Sequence, residues 1–301
     1  MAATIADADV KITLTAVDPI HHGAGTSGNT ALLRTQPFVN PHTGQSGTVP
    51  YVSGNAFRHG IRDALAWHLV RELGLEDGSL SVAQVALLWS GGALSEPGAK
   101  INIERLRSVN THLPQLTLLG YSAGNDIVTS TLRAQMLHIV CAENVWRLPG
   151  WENHPHAARP AGFFRGENFG TRHDPTGGPT DRLLADSGLF DTGPKNGTPT
   201  QMIYDFQTVI PGTIFVTGLT LEAATQPQAD ALACALAYLA RDGITYLGAK
   251  RAVGYGRCRM DIDDPKGIVT GDAIQDATTR RVDWITSHRD DILNLLGELA
   301  K

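Results

Sequence analysis

The sequence predicts an α+β fold in which an antiparallel sheet carries helices on one face. Three observations predict it. Short runs near both ends of the chain alternate apolar and polar residues, the period of a half-buried strand. Two longer segments repeat apolar residues every three or four positions, the period of a helix. With the aperiodic stretches set aside, these elements run strand, helix, strand, strand, helix, strand, the split βαβ arrangement.

Each element has a local reason. Over Val10 to Val17, Val10, Ile12, Leu14 and Ala16 alternate with Lys11, Thr13 and Thr15, which marks the first strand. A long Gly-, Ser- and Pro-rich loop follows, with short strands expected near Ala31–Arg34 and Pro50–Val52. From Asn55 to Leu73, Phe57, Ile61, Leu65, Leu69 and Leu73 recur every four residues; Ser53 or Asn55 can cap this helix and Gly74 closes it. Residues 75–128 read as short helices and loops. Thr131 to Cys141 is the second strand and Thr213 to Leu221 the third. Gln226 to Arg241 places Leu232, Leu236 and Leu239 on one helical face before Gly243. Arg257 to Ile262 is the last strand, and Val282 to Ala300 a terminal helix. Between Leu148 and Thr200 periodicity fades into Gly, Pro, His, Asp and Arg, with little expected contribution to a core; so long an aperiodic segment is usually functional or disordered. The core order is that of a ferredoxin-like, RRM-like βαββαβ fold with large insertions.

With 301 residues and 42% hydrophobic content, the chain can bury a sizeable core, and intrinsic disorder is excluded. No apolar run reaches the length of a membrane span, and MAATIADADV lacks the basic and apolar regions of a secretory signal. Cys141, Cys234 and Cys258, odd in number and far apart, read as reduced core thiols, so a cytoplasmic location is expected. A net charge of −5 shows no global basic field, yet 19 of the 25 basic residues are Arg, whose planar fork suits phosphate. A GC-rich genome would produce the same bias, so position has to decide.

Three segments carry candidate chemistry. His21-His22-Gly23-Ala24-Gly25 ends the first strand with glycines that leave backbone amides open to an anion, although a lone Gly-x-Gly is also a plain turn. In the segment VPYVSGNAFRHGIR, Ser53, Gly54 and Asn55 lead into a helix bearing Arg58 and Arg62 one turn apart; a helix start already favours anions, and a solvated basic face is the alternative. Before the last strand, Lys250, Arg251, Gly254, Tyr255, Gly256 and Arg257 combine cations, an aromatic platform and glycines, where a basic turn is the alternative. No phosphate-loop spacing, Gly-x-Ser-x-Gly elbow or metal-protease motif is present. His154, His156, His173 and Asp174 make only a weak metal pattern, so no metal or cofactor is expected.

Together, in this order, the segments HHGAG, VPYVSGNAFRHGIRDAL, PGTIF and GAKRAVGYGRCRM resemble the RAMP superfamily of CRISPR proteins, most of all its backbone ("Cas seven") subunit, in a type IV-like form. The stretch LPQLTLLG, Leu113 to Gly120, is similar to a segment of type IV and some type I backbone subunits. The resemblance spans about residues 10 to 262. It implies one domain: a palm over 8–74, 129–145 and 205–265, a finger insertion over 75–128, a thumb over 146–204, and a C-terminal helix within 280–300. The implied function is a non-catalytic subunit that polymerises head to tail along guide RNA (crRNA). It would have other effector subunits as partners, target nucleic acid held by base pairing, and no membrane contact. Implied RNA-binding residues are His21, His22, Gly23, Gly25, Arg34, Ser53, Gly54, Asn55, Arg58, Arg62, Lys250, Arg251, Gly254, Tyr255, Gly256 and Arg257. Thumb residues Arg159, Arg165 and Arg172, interleaved with Phe163, Phe164 and Phe169, would clamp across the junction between subunits. Where type III relatives carry a cleaving Asp, this sequence has Asn29, so target cleavage is not expected. Two other readings remain open: an endoribonuclease using His21, His22 or Asp18, and a ferredoxin-like protein that binds a small anion or nucleotide.

Overall fold

The computed structural model describes residues 7–92, 102–124, 126–172, 202–269 and 271–301. The first strand, β1 (Ala8–Ala16), buries every second residue, with Ala8, Val10, Ile12, Leu14 and Ala16 pointing inward. The following loop folds into β2 (Gly23–Ser27), β3 (Thr30–Leu33), β4 (Thr35–Val39) and β5 (Ser46–Val52). Ser53 then caps α1 (Gly54–Glu72), its hydroxyl accepting the Ala56 amide. In the first insertion are α2 (Val82–Ser90), α3 (Ile103–His112), α4 (Pro114–Leu119) and the hairpin β6 (Tyr121–Ala123) to β7 (Asp126–Val128).

The chain returns to the sheet through β8 (Leu132–Ala134) and β9 (Leu137–Ile139). A sequence reading of one strand over 131–141 is corrected here. At Gln135 and Met136 the strand bulges, and the Thr217 hydroxyl donates to the Gln135 carbonyl at 3.0 Å. The bulge seats the first turn of α1: a Cβ on Gly54 would stand 2.6 Å from the Ala134 carbonyl oxygen, so only glycine allows that approach.

After three short 3₁₀ turns come β10 (Arg165–Arg172), β11 (Met202–Val209), β12 (Ile214–Leu221), α5 (Gln226–Leu239), β13 (Ile244–Tyr246) and β14 (Arg257–Asp263). The expected single terminal helix is instead two, α6 (Asp272–Ser287) and α7 (Arg289–Leu299). They part at His288, which lies outside helical geometry. Each then buries its own stripe: Ala277, Arg281 and Ile285 on α6, and Ile292, Leu295, Leu296 and Leu299 on α7.

In the central sheet β14, β1, β12 and β9 lie side by side, all antiparallel, with β8 also on β12. This is the ferredoxin-like order, last strand, first, third, second. Strands β13 on one side and β5 and β4 on the other extend it. The main core joins Ile12, Leu14, Phe215 and Leu219 of the sheet to Phe57, Ile61 and Leu65 of α1 and Leu232 and Leu236 of α5. A second apolar cluster joins Leu69 and Leu73 of α1 to α2, α3, α4, α6 and α7, so the 75–128 insertion is anchored on the helical layer. The segment after Leu148 also feeds the core: Ala161 and Phe164 are fully buried in it, which corrects the expectation that this stretch packs little. No described helix is long and apolar enough to cross a membrane.

Candidate nucleic-acid interface

Because β1 and β14 are neighbours, the loop leaving β1 and the loop entering β14 meet at one end of the sheet. Backbone bonds lock them. The Ala249 amide donates to the His21 carbonyl at 2.9 Å, and the Gly256 amide to the Pro19 carbonyl at 2.9 Å. Gly248, at φ 73°, lies so close that any side chain there would collide with the His21 carbonyl. The first and third candidate segments are therefore one surface.

Within it each histidine has a defined partner. His21 is buried; its Nδ1 donates to the Gln207 carbonyl at 2.7 Å, and its ring meets Phe206 edge to face. His22 accepts the Ser53 amide at Nε2, 3.3 Å away, which ties the loop to the start of α1. Burial, then the charges of Arg34 and His21, lower the His22 pKa to about 4 and keep the ring neutral at pH 7. Arg34 Nε donates to the Gly23 carbonyl at 3.3 Å. Gly25 and Gly254 hold positive φ in open space, and Asn55 is exposed.

Beside the expected Tyr255, β11 adds two aromatics that the sequence reading missed. Tyr204 and Phe206 project from β11, with the Lys250 ammonium 4.2 Å from the Phe206 ring centroid and 4.9 Å from that of Tyr204. Tyr255 packs edge to face on Phe206, and Asn168 donates to its hydroxyl at 3.4 Å. Gln207 Oε1 accepts the Leu33 amide, and the Thr30 hydroxyl donates to the Asp205 carboxylate at 2.7–2.8 Å. The alternation Tyr204-Asp205-Phe206-Gln207 is the signal that marks this strand in the sequence. Arg251 is exposed, its Nε donating to the Gly248 carbonyl, while Arg257 pairs with Asp18 at 3.0 Å.

Arg58 and Arg62 stand elsewhere. Arg58 Nη2 donates to the Leu119 carbonyl at 2.6 Å, and Arg62 Nη2 to those of Leu119 and Gly120 at 3.0 and 2.9 Å. Both cap the negative end of α4. Burial lowers both pKa values, and the adjacent Arg58 charge helps bring Arg62 to about 10. Arg58 Nε and Arg62 Nη1 have no partner among the described residues, and the pair borders a hollow of about 290 Å³ with Asn55, His59 and Trp89. No hydrogen bond or ion pair among the described residues joins either arginine to the glycine loops.

In the expected thumb, Arg159 lies over Phe163, 5.2 Å from its centroid, and Arg165 donates to the Thr48 carbonyl at 3.4 Å. Phe163 and Phe169 are exposed, but Phe164 is core and so is not a stacking platform. The Arg172 side chain, His173 and Asp174 lie outside the described residues; His154 and His156 pack ring against ring at 4.8 Å. All three cysteines are buried, and desolvation pushes the thiols of Cys141 and Cys258 up to about 12, which leaves them inert.

No protein-family model and no curated protein matches the chain. Among solved structures, a chain described as a type IV-B CRISPR complex superposes with a TM-score of 0.57 at 19% identity, over 86% of this chain and 91% of that one. This chain shares the fold of a type IV CRISPR complex subunit. The likeness is one of architecture, an antiparallel sheet with inserted helices, and it extends over nearly all of both chains.

Proposed function

We propose that the chain is a guide-RNA-binding backbone subunit of a type IV CRISPR effector complex, of the RAMP type, that polymerises head to tail along the RNA without cutting it. The observation that carries this reading is the convergence of the two glycine loops on a patch where Lys250, Arg251 and Arg34 flank the aromatic residues Tyr204, Phe206 and Tyr255. Lys250 and Arg251 form no ion pair among the described residues, so their charges are available to phosphates. Gly25 and Gly254, at positive φ with no atom near where a side chain would stand, let an anion approach the backbone closely. Contacts of this kind hold the sugar–phosphate chain without reading sequence, leaving the bases to pair with a target. Arg58 and Arg62 on α1, bordering a separate hollow with Asn55 and His59, make a second phosphate contact apart from the glycine loops. The non-catalytic assignment is supported by the histidines, both occupied in backbone bonds, and by the exposed amide of Asn29 where type III relatives carry a carboxylate.

The test is to purify the protein alone, record its 260/280 nm absorbance ratio, and analyse extracted nucleic acid on a denaturing gel beside a size-exclusion trace. RNA in a large particle that ribonuclease dissolves is the expected result. RNA-free, monodisperse protein that also ignores added guide RNA would overturn the proposal. Incubation with a complementary target should leave that strand intact.

A further inference from the structure

On the helical layer, away from the glycine loops, the first turn of α5, the start of α4 and the C-terminal half of α6 enclose a cavity of about 480 Å³. That is the size of a small-molecule site. Its walls are chiefly apolar. Pro114 and Pro227 contribute aliphatic rings, while Trp284 and His288 stack with centroids 3.6 Å apart and extend as one aromatic wall.

The wall also contains Arg281, only 5% exposed. Its Nη2 donates to the neutral Gln115 side chain at 3.2 Å, and its Nε has no partner among the described residues. The nearby carboxylate, Asp230, is committed elsewhere: it accepts two bonds from Arg280, at 3.0 and 2.6 Å, and one from Gln226 at 2.9 Å. Asp283 also borders the cavity but stands exposed at its mouth, where water screens its charge. A buried guanidinium whose only hydrogen bond among the described residues runs to an amide is an unbalanced charge, and such groups are stabilised by an anion.

We propose that this cavity is a binding site for a planar aromatic carboxylate, its ring against the Trp284–His288 wall and its carboxylate on Arg281. The aromatic wall supplies contact area and the cation supplies selection, since a neutral isostere leaves Arg281 as unbalanced as before.

Isothermal titration calorimetry on the full chain with 2-naphthoate, and with the neutral 2-naphthalenemethanol, tests this. Saturable binding of one naphthoate per chain, at least tenfold tighter than the alcohol, is expected. Trp284→Ala, at a partly exposed position that does not endanger the fold, should weaken naphthoate binding at least tenfold. Arg281→Gln, checked for folding by circular dichroism, should bring the two ligands to equal affinity. Absence of saturable binding, equal affinities on the unmodified protein, or full affinity in Trp284→Ala would each overturn the assignment.

Discussion

The Lys250 ammonium sits 4.2 Å from the centroid of the Phe206 ring while the Lys250 backbone holds a left-handed φ of 62°. Left-handed geometry costs a non-glycine residue about 1 kcal/mol or more, and a cation over an aromatic face returns a similar amount. Lys250→Gly removes both, so thermal unfolding should change by no more than about 1 kcal/mol. RNA affinity should nevertheless fall, with the salt dependence flattened by about one unit of slope. An unchanged slope would remove Lys250 from the interface.

Arg62 fastens α1 to the carbonyl end of α4 by two charge-assisted bonds. Arg62→Met should lower stability in urea unfolding by about 2 kcal/mol, and Arg58→Met, with one bond lost, by less. If either arginine also holds a phosphate, its variant will reduce the salt slope of RNA binding as a separate effect.

Phe164 and Phe169 lie five residues apart in sequence and behave oppositely: one is 1% exposed, the other 72%. Phe164→Ala should destabilise the protein by about 3–5 kcal/mol. Phe169→Ala should stay within about 0.5 kcal/mol of the parent. Parallel denaturant melts check both.

Acid should loosen the fold through its histidines. Burial holds His22, His68 and His138 at about 4 rather than the ordinary 6.5. Between those values the unfolded chain takes up protons that the folded chain refuses, so stability is complete above pH 6.5 and declines as pH falls towards 4. His68 is fully buried and neither ring nitrogen makes a hydrogen bond among the described residues, the Glu72 carboxylate standing 3.9 Å from Nε2. His68→Phe should therefore reduce the pH slope of unfolding in that window by up to about 1.4 kcal/mol per pH unit. An identical slope would show that His68 titrates normally.

What could be read from the sequence was what depends on local pattern. The alternation of β1, the four-residue stripe of α1 and the strand–helix order are local, and they led to the antiparallel βαββαβ sheet. The strand break at Gln135 depends on a hydroxyl at Thr217 and on the close approach of Gly54, neither visible in the TLRAQMLHIVC run itself. Arg58 and Arg62 look like a free basic face because their acceptors, Leu119 and Gly120, lie far along the chain in the 75–128 insertion. The pairing of the two glycine loops follows once β1 and β14 are adjacent, but the Tyr204–Phe206 platform between them arrives from a strand bordering an aperiodic segment.

The adjacency of β1 and β14 also sets an order of events. His21 is synthesised before Ala249, which donates to its carbonyl and follows 228 residues later. Such a contact closes late, because a long loop must be ordered first. A chain still emerging from the ribosome has its first glycine loop but not the cationic loop that completes the patch. Any ligand that needs both loops is thus reserved for finished molecules, and incomplete ones cannot compete for it.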